Sequence, residues 1–106
     1  MSDVAKIFDD INNKLTADPG KVAGIKAVYL FNVTGEGGGN WYVDLTTDKP
    51  TVKTEGSTAN CTVTMDAADF ISIINGTLNA QMAFMTGKIK IAGDMGLAMK
   101  LQKIIG

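Results

Sequence analysis

Histidine and arginine are absent from the 106 residues, cysteine occurs once and proline twice. Without histidine, a serine or cysteine nucleophile needs a lysine or carboxylate as its base, and no such pair stands at a useful spacing. Without arginine, every basic residue is a lysine, and the formal net charge is −1. Nucleic acid is therefore not expected as a partner, because phosphate recognition leans on excess basic charge and on the planar guanidinium fork. Cys61 alone allows neither an internal disulfide nor a four-ligand cysteine/histidine zinc site, which fits a reducing compartment. No apolar run reaches the roughly 18 residues of a membrane span, and Asp3, Lys6, Asp9 and Asp10 interrupt the N-terminus where a signal peptide needs a continuous apolar stretch. A soluble cytoplasmic protein is the expectation, with no peroxisomal address in the closing Lys103-Ile104-Ile105-Gly106.

What is present is a chain of one-domain length, 45% hydrophobic and 20% charged, proportions that suit a folded globule rather than a disordered segment. Residues 1–106 are read as a single domain. Val4, Ile7, Phe8, Ile11 and Leu15 follow the i, i+3, i+4, i+7 spacing of an amphipathic helix, capped by Ser2 or Asp3 and stopped at Asp18-Pro19-Gly20. Residues 27–33 read as a strand with Tyr29, Phe31 and Val33 on one face. The glycine-rich 35–40 segment turns a hairpin into a second strand, on which Trp41, Val43 and Leu45 alternate with polar partners. After Asp48-Lys49-Pro50 come a short strand over 51–55 and another through Cys61, Val63 and Met65. Asp66 and Asp69 precede a helix packed by isoleucines and closed at Gly76. Asn79 caps a shorter helix ending at Gly87, residues 88–91 alternate as a fifth strand, and Asp94 caps a last helix. The pattern predicts an α+β fold with a mostly antiparallel five-stranded sheet.

Few groupings here carry chemistry. Asp9-Asp10 and Asp66/Asp69 are the close carboxylate pairs, and both stand where a solvated helix face or a capped first turn puts them. The triglycine segment lacks the lysine and hydroxyl of a phosphate loop and leads into a strand. Cys61 alternates with Val63 and Met65 on an inward face and reads as a small apolar group. Lys88 and Lys90 read as the solvated face of an edge strand, with a transient contact to anionic membrane as the functional alternative. No metal, cofactor or catalytic residue is expected.

The last helix is the informative element. On a wheel of roughly 100° per residue, Met95, Leu97, Ala98, Met99, Leu101, Ile104 and Ile105 cover an arc of roughly 220°, wider than packing on one sheet requires. Such a helix needs a second cover: core, cavity or partner subunit. All five internal methionines, Met65, Met82, Met85, Met95 and Met99, lie in the second half of the chain, and their flexible thioethers suit a pocket for varied apolar ligands as well as a gap-filled core.

The run Cys61-Thr62-Val63-Thr64-Met65, the helix through Asp69-Phe70, and above all the continuous stretch from Ala83 to Gln102, beginning Ala83-Phe84-Met85-Thr86-Gly87-Lys88-Ile89-Lys90, closely resemble sterol carrier protein type-2 domains. Trp41-Tyr42-Val43-Asp44 stands at that family's tryptophan position, so the resemblance covers nearly the whole chain. It implies helices covering one face of the sheet and an apolar tunnel between the layers. The ligands it implies are sterols, fatty acids, fatty acyl-CoA and phospholipids, carried without catalysis. By resemblance Trp41 borders the tunnel, Phe70 and Ile74 lie on the covering helix, Gln81 stands at the mouth, and Met85, Met99 and Leu101 are wall positions. Phe8, Ile11, Met82 and Met95 complete the candidate lipid-binding set. Two departures stand out. The sequence stops at Gly106, where many relatives continue beyond the Lys-Leu-Gln motif, so neither a C-terminal lid nor a peroxisomal address is expected, and it has no arginine of the kind some relatives use to hold a ligand carboxylate. The expectation is a monomeric carrier; the rival is a protein-interaction domain whose last helix is buried in a homodimer or partner interface.

Overall fold

The structure, a computed structural model, describes residues 3–47, 49–56 and 58–100, apart from the side chain of Lys21. Ser2, Asp48, Leu101, Ile104 and Ile105, named above, lie outside the described residues. Helix α1, Asp3–Ala17, buries Val4, Phe8, Ile11 and Leu15 and exposes Asp9, Asp10 and Lys14, as its spacing requires. It stops because Pro19 drives Asp18 out of the helical region, to φ −136 and ψ 72, and a short 3₁₀ turn over Pro19–Val22 follows.

Strands β1, Val28–Thr34, and β2, Gly39–Asp44, form the expected hairpin, with Val28 opposite Asp44 and Val33 opposite Gly39. Gly35 and Gly37 take positive φ in the turn, and a Cβ on Gly38 would stand 2.2 Å from the carbonyl oxygen of Val33. Strand β3, Thr51–Lys53, adds to the outer edge of β2. Strand β4, Cys61–Asp66, pairs with β1 in parallel, the one parallel pairing in the sheet, and β5, Ile89–Gly93, closes the order β3-β2-β1-β4-β5. The sheet is thus mixed but mostly antiparallel.

Between β4 and β5 the chain makes helices α2, Ala67–Ile74, and α3, Ala80–Met85; a single turn of helix, α4, Met95–Ala98, follows β5. The three caps read from the sequence are present. Asp66 accepts from Ala68 N, Asn79 from Gln81 N and Met82 N, and Asp94 from Gly96 N and Leu97 N. Gly76 and Gly87 supply the positive φ beyond α2 and α3. Strand ends differ from the sequence reading, most at β3 and β5. β3 ends at Lys53, whose register partner is Tyr42, and β5 runs on to Gly93 because Ala92 and Gly93 pair with Thr62 and Cys61.

One face of the sheet carries the core. Tyr29, Phe31, Val33, Trp41, Val43, Cys61, Val63, Met65 and Ile89 are buried, while Leu30, Asn32, Tyr42, Thr62 and Thr64 on the other face are half-buried. Phe8 of α1 and Phe70 of α2 touch rings of that buried face, which places both helices on the same side. Asn60 ties three strand ends together: its amide N donates to Val28 O, its Oδ1 accepts from Val28 N, and its carbonyl accepts from Asp94 N.

Candidate functional site

The layer between sheet and helices is organised around Phe8. Its ring stacks on Trp41 at 4.6 Å between centroids and on Phe70 at 5.0 Å, and meets the edge of Phe31 at 5.3 Å. Helix α1 thus inserts one ring between a strand residue and a residue of α2, in the offset and edge-on geometries that aromatic quadrupoles favour. Of the candidate residues, Phe8, Trp41 and Phe70 are brought together, Ile11 is buried on the same stripe of α1, and Ile74 is half-buried on α2. At this level ring contacts fill the interlayer space, so a chain entering here has to part them. Among the described residues no polar or charged residue is buried in the layer.

The remaining candidates form a different environment. Gln81 is exposed, and Met82, Met85, Met95 and Met99 are 57%, 73%, 48% and 85% exposed. The wide apolar arc of the last helix is therefore uncovered over its described part: Leu97 and Ala98 are half-buried, while Met95 and Met99 face outward. The wall position proposed for Met99 is an open rim in this structure. Leu101 lies outside the described residues.

Two residues that pattern reasoning left out of the site matter to it. Phe31 completes the aromatic cluster. Tyr29, fully buried beneath α4, donates its hydroxyl to the carbonyl oxygen of Leu97 at 2.5 Å and so ties α4 to the central strand. The signal was available, since a tyrosine alternating with Phe31 and Val33 on a buried face needs a partner for its hydroxyl. Burial, with the nearby Cys61 and Asp94, pushes the Tyr29 phenol up to about 12. Burial also raises the Cys61 thiol, with Asp94 adding to the effect, so neither group supplies an anion near neutral pH. Among the described residues no three histidine, cysteine or acidic side chains gather as a metal site.

An open groove of about 240 Å³ lies elsewhere, between the 3₁₀ turn and the end of β2, lined by Val22, Ile25, Lys26, Leu45 and Pro50 among others. None of the candidate residues lines it, and it is smaller than the roughly 300–1,000 Å³ of ordinary small-molecule pockets.

A mixed five-stranded sheet, helices on one face and, among the described residues, an interlayer lined by apolar side chains and the hydrogen-bonded Tyr29 hydroxyl define an α+β domain. The model of the SCP-2 sterol transfer family matches residues 8–106, and the chain belongs to that family. Hydroxysteroid dehydrogenase-like protein 2 of Xenopus laevis is 49% identical over 87 residues, covering 80% of this chain and 21% of that protein. Sterol carrier protein 2 of Homo sapiens is 39% identical over 103 residues, covering 92% of this chain and 19% of that protein. The chain thus spans about a fifth of the length of these curated relatives. The solution structure of palmitated SCP2L2 from Aedes aegypti superposes with a TM-score of 0.81 at 31% identity, covering 99% of this chain and 95% of that one.

Proposed function

We propose that this chain is a non-enzymatic lipid carrier that takes the apolar chain of a fatty acid or fatty acyl-CoA between its sheet and helices, with sterols and phospholipids as further cargo. The observation that carries the reading is the interlayer itself: among the described residues it is lined by apolar side chains, the one buried hydroxyl, of Tyr29, being hydrogen-bonded to Leu97, in a fold shared with a palmitated relative. Each methylene transferred from water into such a layer contributes about 0.8 kcal/mol, so a long acyl chain supplies ample driving force. A charged head group finds no buried basic partner among the described residues and stays at the solvent-facing rim, because an unpaired charge in an apolar layer is costly. The neutral Tyr29 and Cys61 support transport without catalysis, since neither is available as a base or nucleophile near neutral pH.

The test is a titration of the protein with palmitate and palmitoyl-CoA, read by Trp41 emission and by calorimetry. Trp41 is stacked on Phe8, so a ligand that parts the rings changes the indole environment. A saturable emission change is expected, with a heat of binding that becomes more negative as temperature rises; saturable turnover of palmitoyl-CoA, or neither an emission change nor heat at two temperatures with either ligand, refutes the reading.

A further inference from the structure

We propose that Met82, Met85, Met95 and Met99 form a peroxide-modification site: hydrogen peroxide converts their thioethers to sulfoxides while Cys61 and Met65 stay reduced, and the modified side chains no longer close over lipid cargo. The consequence for cargo rests on the carrier reading; the choice of sulfur atoms does not.

Burial sorts the sulfur atoms of the described residues into two classes. Cys61 and Met65, on the inner face of β4, are 0% and 2% exposed, whereas Met82, Met85, Met95 and Met99 are 57%, 73%, 48% and 85% exposed. The exposed side chains fall into two pairs, each a single helical turn apart. Met82 and Met85 share a face of α3, and Met95 lies one turn before Met99, whose amide donates to the Met95 carbonyl. Both helices pack against the edge strand β5, so the two pairs stand along the same edge of the sheet. Methionines that fill gaps in a core are covered; these are not, and packing gives no reason for their thioethers.

The chemistry selects the same residues. A thiol reacts as its thiolate, and burial, with Asp94 nearby, holds the Cys61 thiol protonated. A thioether has no proton to lose and needs only contact with the oxidant. Its sulfur lone pair attacks one peroxide oxygen, an S–O bond forms as the O–O bond breaks, and the departing hydroxide takes the proton of the transferred oxygen and leaves as water. Sulfur is oxidised and peroxide is reduced by the same electron pair. The product is a polar, chiral side chain, and the reductases that act on the two sulfoxide epimers reverse the change.

Position gives the change its effect. Met95 and Met99 flank Leu97, whose carbonyl accepts from the buried Tyr29 hydroxyl, and the Tyr29 ring lies 6.5 Å from that of Phe31 in the aromatic cluster. Met82 adjoins Ala83, which is fully buried. Both pairs thus border the apolar layer without belonging to it. A sulfoxide at an exposed position costs the fold little, but an acyl chain resting on it loses an apolar contact and leaves a polar oxygen unsolvated.

The experiment treats the whole chain with graded hydrogen peroxide, locates the added oxygen by peptide mass mapping, and titrates palmitate by calorimetry before and after. Sulfoxide is expected at the exposed methionines roughly tenfold or more faster than any change at Met65 or Cys61, which react only through local opening. Palmitate affinity falls about tenfold or more, while the urea midpoint is unchanged, and the two sulfoxide reductases together restore affinity. Substituting all four by leucine, a swap that conserves volume, abolishes the peroxide response from whatever affinity the variant starts with. The pairs Met82→Leu with Met85→Leu and Met95→Leu with Met99→Leu, made separately, each keep part of the response, which decides the matter if the fourfold variant binds too weakly to titrate. Met65→Leu keeps all of it. Modification of Met65 or Cys61 as fast as Met85 and Met99, unchanged palmitate affinity after full modification, an undiminished response in the leucine variants, or unfolding on modification overturns the proposal. Untreated protein that binds no palmitate removes the carrier reading and the consequence for cargo with it, while the peptide map still decides which sulfur atoms react.

Discussion

Replacing Tyr29 with phenylalanine tests the tether between the central strand and α4, and the sign of its effect reverses with pH. At neutral pH the variant loses one hydrogen bond and leaves the Leu97 carbonyl without it, a cost of about 1 kcal/mol. The wild-type phenol titrates near 12 when folded and near 10 when unfolded. The folded state therefore holds its proton over a range in which the unfolded chain has released it. Stability is unaffected by this group below pH 10 and falls as pH rises through 12, by at most about 1.4 kcal/mol per pH unit and about 2.7 kcal/mol in all. The variant has no such loss. Its denaturant-unfolding free energy starts about 1 kcal/mol below wild type and overtakes it near pH 11, where the wild-type loss has grown to about the same size. Urea melts of both proteins from pH 7 to pH 11.5 measure the crossing, and taking their difference cancels every contribution common to both. Parallel pH profiles for the two proteins would refute the buried, hydrogen-bonded phenol.

Phe8→Ala removes the ring at the centre of the stack and lowers unfolding free energy by about 3–5 kcal/mol; a loss under about 1 kcal/mol in urea melts contradicts the packing described. Gly93→Ala forces a side chain onto φ +99 with its Cβ 2.4 Å from the Asn60 carbonyl, so it costs at least about 2 kcal/mol and lowers Tm by roughly 10 °C; an unchanged Tm by calorimetry removes the strain argument. Met99→Glu leaves stability within about 0.5 kcal/mol, because the position is already exposed, yet weakens palmitate binding in a fluorescence titration if Met99 closes over bound cargo; an unfolded variant contradicts the exposed placement.

The elements legible in the sequence were those fixed by local rules. The stripe of α1, the alternation of Tyr29, Phe31 and Val33, and the caps at Asp66, Asn79 and Asp94 each depend on residues within a turn or two of one another. The parallel pairing of β1 with β4 does not, because it joins Tyr29 to Cys61 across the intervening hairpin and β3. The end of β5 was missed for the same reason: Gly93 belongs to the strand because Cys61 pairs with it. At the site, a helical wheel can point Phe8 inward, but only the fold decides that it meets Trp41 and Phe70. The wheel failed differently at Met95 and Met99. It gives the relative directions of side chains on one helix and contains nothing about what covers them.

That uneven covering also ranks the routes into the apolar layer. Apart from Ala83 and Ile89, every buried residue described lies before residue 71. Lifting α1 exposes Val4, Phe8, Ile11 and Leu15, at about 1.5–3 kcal/mol each, a total comparable to the whole stability of a domain this size. Lifting α4 breaks the Tyr29 bond, about 1 kcal/mol, and bares the partly buried Leu97 and Ala98, a smaller apolar loss than the four fully buried residues of α1. Segments with few buried apolar contacts open first and most often. The low-cost opening is therefore at α4, and it leads from the Tyr29 hydroxyl down the central strand toward Phe31 and the ring stack. Met95 and Met99 flank that segment and are exposed, so the part of the molecule that yields most easily is also the part whose apolar side chains already reach solvent.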